Sequence, residues 1–237
     1  SCNGLQHLSA MLLDEVGGES VNLTAKTFKG DIYADVRDET TRLLEESTEP
    51  LAKELVKFGI TRKACKRPVM IVPYAGTIRA CRRYIDAQFT DEGGLLTFGE
   101  RYKEALTLYT DTVWQAIGHR VLKGREIMTY LSNVAKELVS DGETQIRWTT
   151  PNGFYVIQER LKQEMKVIRT PLGNTVKEKG YLTTMERIPT ENTDKRAHAT
   201  GIAPNFVHSL DACHLQETVN SMNVDCSFAM IHDSFGV

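Results

Sequence analysis

The sequence predicts a mainly helical α+β chain, and three features of its 237 residues carry that prediction. Apolar residues recur at helical spacing through Leu5–Phe58 and again through Thr97–Val139. Two turn-forming stretches, Thr150-Pro-Asn-Gly-Phe154 and Pro171-Leu-Gly-Asn174, each stand between β-rich runs. With 41% hydrophobic residues, the chain can bury the core of one large domain or two small ones.

Leu5, Leu8, Leu12, Leu13 and Val16 set a first helix, with Gly17-Gly18 as its stop. Ile32, Val36, Leu43 and Leu44 amid dense charge predict an amphipathic helix over 31–47, and Leu51–Phe58 a shorter one closed by Gly59. Thr61 is placed to cap the next helix. Pro68 and Pro73 fall inside that segment, where an interior proline costs about 3 kcal/mol, so a kink or interruption is expected. Thr97–Leu122 and Arg125–Val139 read as long helices parted around Gly124, with Trp114, Ile117, Val121 and Leu122 as a core stripe. Ile146–Ile157 forms one hairpin. Met165–Thr170 and Tyr181–Met185 form another, studded with Lys162, Lys166, Arg169, Lys177, Lys179 and Arg187. A basic two-stranded ribbon can enter a DNA groove, although a hairpin kept soluble by lysines has the same pattern. Thr190–His198 reads as a polar loop, and a helix opens at Ala203 with His208 and Asp211 near its start. Ser227–Phe235 reads as a buried strand interrupted by His232-Asp233-Ser234.

The net charge is −2 and the pI about 6.3, so any nucleic-acid contact must come from local patches. The five cysteines are irregularly spaced without a Cys-x-x-Cys pair, which points to reduced thiols rather than a zinc site or disulfide framework. The six histidines include no His-x-x-x-His pair, and His119 and His198 read as surface or packing residues. No run approaches the roughly 18 apolar residues of a membrane span, and no signal pattern opens the chain, so a soluble intracellular protein is expected. Neither end reads as a frayed polar terminus, which predicts a fragment.

The chemistry is concentrated in one ladder. Arg62, Lys66, Met70 and Tyr74 recur every fourth residue and so share one helical stripe. Its cationic end can hold a polyphosphate and its apolar, aromatic end a flat base. The plain alternative is a solvated basic face running into a core stripe. Asp233 stands where an apolar strand turns, a costly place for a carboxylate unless it binds a cation such as magnesium. Asp211 and Asp14 read as ordinary helix residues, which leaves Asp233 without an acidic partner in this chain.

Ser1-Cys-Asn-Gly-Leu-Gln-His7, the ladder, Gly201-Ile-Ala-Pro-Asn-Phe-Val-His208-Ser209 and Ile231-His-Asp-Ser-Phe-Gly236 occur in one order that resembles the single-subunit, phage-type DNA-dependent RNA polymerases. The resemblance implies a right-hand polymerase fold. Palm pieces fall at 1–28 and 208–237, fingers at 29–207 with a promoter-specificity hairpin at 155–190, and the N-terminal domain and thumb lie outside. It further implies that Asp233 binds two catalytic Mg2+ ions together with an aspartate two positions before Ser1. Without that aspartate the fragment itself would be inactive. Lys66 and Arg62 would contact the incoming triphosphate, with Lys66 as general acid. Tyr74 would stack at the active-site base pair and select ribose, with His208 near the 2′-hydroxyl, while Met70 and Tyr33 would line the same pocket. Lys166, Arg169, Lys177 and Lys179 would contact DNA. His232 would position the metal turn. The implied partners are template and promoter DNA, nascent RNA and ribonucleoside triphosphates, for a monomer free of the membrane. Phe235-Gly236 is closer to the phage than the organellar branch, which implies the cytoplasm of an infected cell. Ala75 stands where the family carries glycine.

Two alternatives differ in residues or in tests. An A-type DNA polymerase shares the Arg-x3-Lys spacing but has an acidic residue where Ser234 stands, and a glutamate in the motif that here reads Gly4-Leu-Gln6. A non-catalytic DNA-binding module would tolerate loss of Arg62, Lys66, Tyr74 and Asp233.

Overall fold

A computed structural model describes residues 4–25, 27, 29–170, 182–222, 227–231 and 234–236. Nine helices precede the first hairpin among these residues: α1 (Gly4–Met11), α2 (Glu15–Ser20), α3 (Ile32–Glu46), α4 (Pro50–Phe58), α5 (Arg62–Met70), α6 (Ile78–Asp91), α7 (Gly94–Phe98), α8 (Tyr102–Arg120) and α9 (Leu122–Ser140). A 3₁₀ turn, Val72–Tyr74, links α5 to α6. Strands β1 (Gln145–Thr149) and β2 (Tyr155–Glu159) form one antiparallel hairpin, β3 (Leu161–Thr170) and β4 (Leu182–Thr193) a second. The long α10 (Lys195–Asn220) follows, then β5 (Ala229–Ile231) paired antiparallel with β6 (Ser234–Gly236). The chain is mainly helical with small two-stranded sheets, as its periodicity predicts.

The main core lies among α3 to α8. Val36 and Leu44 of α3, Leu55 of α4, Cys65 and Val69 of α5, Ile85 and Phe89 of α6, and Tyr109, Val113 and Ile117 of α8 are fully buried. Phe89 sits at the centre, 5.1 Å from both Phe58 and Tyr102 and 5.5 Å from Tyr109. Offset and edge-to-face ring pairs of this kind add about 0.5–1.5 kcal/mol each beyond their burial. α5, which carries the ladder, is therefore anchored on a rigid base. A second core joins α9, β1 and α10 through Ala135, Ile146 and Ile202.

Glu39 of α3 is a buried carboxylate held by Arg42, His119 and Arg120. The hydrogen bond from Arg42, then that from His119, holds its carboxyl down at about 2. Because the folded-state value is depressed, the stabilisation is complete above the ordinary value near 4.5 and is lost as pH falls toward about 2. All three partners are about half exposed, which screens the pairing to roughly 1–2 kcal/mol. Glu39→Gln is expected to lose that amount in denaturant unfolding at pH 7, with a gap from wild type that narrows through the acid window.

The structure departs from the sequence expectations at identifiable places. The first helix ends at Met11, and Gly17 and Gly18 lie buried within α2 instead of stopping a helix. A Cβ on Gly17 would meet Asp14 Oδ2 at 2.4 Å and Ser9 Oγ at 2.8 Å, so close packing requires glycine there. Asp14 is the α2 cap, accepting from Gly17 N–H at 3.0 Å. α6 was not foreseen, although Thr77 caps it and Cys81, Ile85 and Phe89 bury at four-residue spacing. The break between α8 and α9 falls at Val121, and Gly124 is buried inside α9. α5 runs through Pro68 and ends at Met70, before Pro73 enters the first turn of the 3₁₀ segment, where its missing N–H costs nothing.

Residues 190–198 are not a loop. β4 continues to Thr193, and Asp194 caps α10 by accepting from Ala197 N–H at 2.9 Å. His208 and Asp211 are thus mid-helix. His198 is completely buried; the Arg160 backbone N–H donates to its Nε2 at 3.1 Å, which requires the neutral ring. Burial holds its pKa below the usual histidine value, and the contact fastens the hairpins to α10. Ser227–Phe235 contains two paired strands, with Ile231 opposite Ser234.

Candidate active site

Thr61 starts α5 as expected, its Oγ1 accepting from Ala64 N–H at 3.1 Å and donating to Glu92 at 2.7 Å. The helix buries Ala64, Cys65, Pro68 and Val69 on one face, and this turns Arg62, Lys66 and Met70 outward. The stripe is therefore a solvent-facing row on a packed helix. Cys65 and Cys81 beneath it are buried free thiols, both pushed up to about 12 by burial, and are inert as nucleophiles.

The row divides between two clefts. Arg62 and Tyr33 line one of about 450 Å³ with Gln6, Asn22, Lys29 and Asp31. Arg62 Nε donates to Asp31 Oδ2 at 2.6 Å, and its guanidinium lies 5.0 Å over the Tyr33 ring. Asp31 Oδ1 caps α3 by accepting from Tyr33 and Ala34 N–H, so one carboxylate ties the α3 N-terminus to the first rung. Burial opposes the charge on Asp31, but Arg62 and these N–H groups prevail and hold its pKa below the ordinary value. Lys66 and Met70 line the other cleft, of about 490 Å³, with Lys63, Arg67 and Tyr84.

Tyr74 closes the row at the half-buried end. Its ring stacks on His208 of α10 at 4.7 Å and 23°, and its hydroxyl donates to Asp211 Oδ2 at 3.2 Å. The same Oδ2 is 3.6 Å from His208 Nδ1, and Asp211 Oδ1 is 3.2 Å from His7 Nε2 of α1. His7 meets His214 edge-on at 5.8 Å; burial, then His7, keeps His214 below the usual histidine pKa. Segments from both ends and the middle of the chain converge here.

A model of the family described as DNA-dependent RNA polymerase matches residues 1–237. The chain belongs to this family. It is 34% identical over 288 residues to the T7 RNA polymerase of Escherichia phage T7, and 31% over 291 to the DNA-directed RNA polymerase of Enterobacteria phage T3, with the whole chain aligned. It spans 31% of the length of each. The DNA-directed RNA polymerase 2A of Nicotiana tabacum is 30% identical over 244 residues, covering 99% of this chain and 70% of the tobacco protein. The phage alignments run longer than the chain itself, so those enzymes carry extra residues inside the matched span, far more than the tobacco protein does.

Ala75, where the resemblance to the family leads one to expect glycine, follows Tyr74 directly, and its backbone shows what a side chain does there. Ala75 is left-handed at φ 57° and ψ 37°, terminating the 3₁₀ turn directly after Tyr74. A Cβ in that conformation costs about 1 kcal/mol. The next position has no room for a side chain, because a Cβ on Gly76 would meet Ile71 O at 2.6 Å. Ala75→Gly is expected to raise stability by about 0.5–1 kcal/mol, read as a higher denaturant midpoint at unchanged slope.

Of the remaining candidates, Lys166 is exposed on β3 opposite Glu186, in a ribbon that also exposes Met165, Val167 and Met185. Arg169 lies on β3, while Lys177, Lys179 and Asp233 fall outside the described residues. Among the described residues no group of three His, Cys, Asp or Glu side chains is gathered to hold a metal ion, and no helix is long and apolar enough to cross a membrane. Sequence reasoning missed Asp211 and His7 as site residues. The available signal was that His208 and Asp211 lie one helical turn apart.

Proposed function

We propose that the chain is the palm-and-fingers part of a DNA-directed RNA polymerase, which extends RNA on a DNA template from ribonucleoside triphosphates. The observation that carries this reading is the stack of Tyr74 on His208 over a shared carboxylate, at the end of an outward row of Arg62, Lys66 and Met70. Arg62 and Lys66 bind the triphosphate, and Lys66 donates a proton to the departing pyrophosphate as the RNA 3′-hydroxyl attacks the α-phosphorus. Met70 packs the nascent base pair, and Tyr33 together with Arg62 lines the approach to it. Tyr74 and His208 read the sugar.

Asp233 offers the hard oxygen that magnesium prefers, and its partner would be an aspartate ahead of Ser1; bound Mg2+ would polarise the attacking and leaving oxygens. Residues 1–28 and 208–237 form palm pieces and 29–207 the fingers. The second hairpin, built on β3 and β4 in the expected 155–190 specificity region, contacts promoter DNA through Lys166, Arg169, Lys177 and Lys179. The protein works as a monomer in the cytoplasm of a phage-infected cell. The test is extension of an annealed RNA primer by the whole protein with ribonucleotides and then deoxyribonucleotides. Preferential, template-directed ribonucleotide addition supports the reading, and preferential deoxyribonucleotide addition overturns it.

A further inference from the structure

We infer that a groove along α9 carries the unpaired template strand to the end of the row that closes at Tyr74; this rests on the polymerase reading above. Two further clefts meet on α9. One, of about 300 Å³, is lined by Ala75, Gly76, Trp114 and Lys136, and the other, of about 470 Å³, by Leu122 and Tyr130. Arg125, Thr129 and Asn133 line both, so the two form one continuous groove. Its inner end lies at Ala75 and Gly76, directly after Tyr74. A template base is unpaired when it is read, so a single strand of DNA has to reach that point.

The lining has the chemistry of a single-strand site, where cations track the phosphates and aromatic rings take the base faces. Arg125, Thr129 and Asn133 recur every fourth residue and Lys136 follows three later, so the four share one face of α9. Arg125 and Lys136 stand eleven positions apart, about 16 Å along the helix, the reach of a few nucleotides. The Arg125 guanidinium lies 5.0 Å over the Trp114 ring, a contact that uses its face and leaves its edge donors for a phosphate. Lys136 Nζ donates to Asn133 Oδ1 at 3.3 Å, which keeps the ammonium on the groove side. Among the described residues neither cation is paired with a carboxylate, and the lining carboxylate Glu126 is neutralised by Lys123 at 3.3 Å. A chain of net charge −2 thus presents a local positive stripe. Tyr130 is 65% exposed and Leu122 55%, an open apolar platform at the outer end. Duplex DNA keeps its base faces stacked on one another, so this platform favours unpaired bases.

The experiment measures, by fluorescence anisotropy, how the whole polymerase binds an RNA primer annealed to DNA templates. The template runs either one or eight unpaired nucleotides past the primer end. Wild type is expected to bind the longer extension at least about tenfold more tightly. Arg125→Gln combined with Lys136→Gln should erase that gain and leave binding of the short extension unchanged. The slope of log affinity against log salt should fall by about 0.7 for each cation removed. Tyr130→Ala should cost about tenfold on the long extension alone. Tyr130 and Lys136 are exposed, so their single variants remain readable if a change at Arg125 disturbs its packing on Trp114. No gain in wild type, an undiminished gain in the variants, or an equal gain when the extension is made duplex overturns the inference. An undiminished gain with a lower denaturant midpoint would assign the groove to another segment of the polypeptide, and overturns it too. A wild-type protein that adds no ribonucleotides to either template overturns the polymerase reading, whereas the dependence of binding on extension length still decides the groove.

Discussion

Lys66→Ala is expected to slow nucleotide addition by about 10²- to 10³-fold, the usual consequence of deleting one preorganised group that stabilises transition-state charge. Lys66 is one turn beyond Arg62 on the exposed face of α5, while Ala64, Cys65 and Val69 on the opposite face fix the helix against the core. Its ammonium group is thus carried on a rigid mount. In the proposed reaction negative charge would grow on the β-phosphate as pyrophosphate departs, so a Lys66 contact would strengthen along the reaction and its loss should fall on kcat more than on KM. The side chain is exposed, and stability should change by no more than about 0.5 kcal/mol. Single-turnover incorporation measures the effect, and unfolding of the same variant separates it from misfolding. Lys66→Arg should recover part of the rate. A near-normal rate for the alanine variant would remove Lys66 from the chemistry.

How far the sequence could be read depended on the kind of information each element carries. α3, α4 and the start of α5 follow from local rules, namely apolar periodicity, a glycine stop at Gly59 and a threonine cap at Thr61. The first three rungs of the ladder are also local, since four-residue spacing puts Arg62, Lys66 and Met70 on one face of α5. The helix ends at Met70, however, and Tyr74 stands in the separate 3₁₀ turn, off the shared helical stripe that spacing alone predicts. Gly17 shows where local rules fail. It reads as punctuation, yet it is small because Ser9 and Asp14 press on it, and only the packed structure reveals that pressure. Asp211 failed for the same reason. As one helical aspartate among many it carries only the weak signal of His208 one turn earlier, and its meaning comes from Tyr74, 137 positions earlier in the chain, and from His7 on α1. Motif order identified the family, but which side chains share a proton is a tertiary property.

Arg62 illustrates a middle case. Its position on the stripe was legible, but its engagement was not: Asp31 and Tyr33 already hold the guanidinium. On the proposed reading, an incoming triphosphate would meet an arginine oriented through Nε. Orientation by a carboxylate lowers the entropy lost on binding, at the cost of competition between Asp31 and the phosphate for the same cation.

Tyr74→Phe is expected to reduce the preference for ribonucleotides over deoxyribonucleotides by roughly 10- to 100-fold while leaving ribonucleotide addition within a few-fold of wild type. The magnitude is that of a hydrogen bond supported by a charged group, about 1.5–3 kcal/mol. The ring should stay where it is, because it stacks on His208 at 4.7 Å and lies beside Pro73 under the α1 backbone at Gly4. Only the hydroxyl is lost. One penalty disappears with it. A deoxyribose no longer leaves the phenol lone pairs unsatisfied, so the wrong substrate gains more than the right one loses. Asp211 loses its donor as well, while His7 Nε2 and His208 Nδ1 stay 3.2 Å and 3.6 Å from its two oxygens. The effect should therefore appear in the ratio of efficiencies for the two sugars, measured under competition on one template. An unchanged ratio would take Tyr74 out of sugar choice. If the ratio were unchanged while both rates fell together, Tyr74 would be reassigned to packing the base pair.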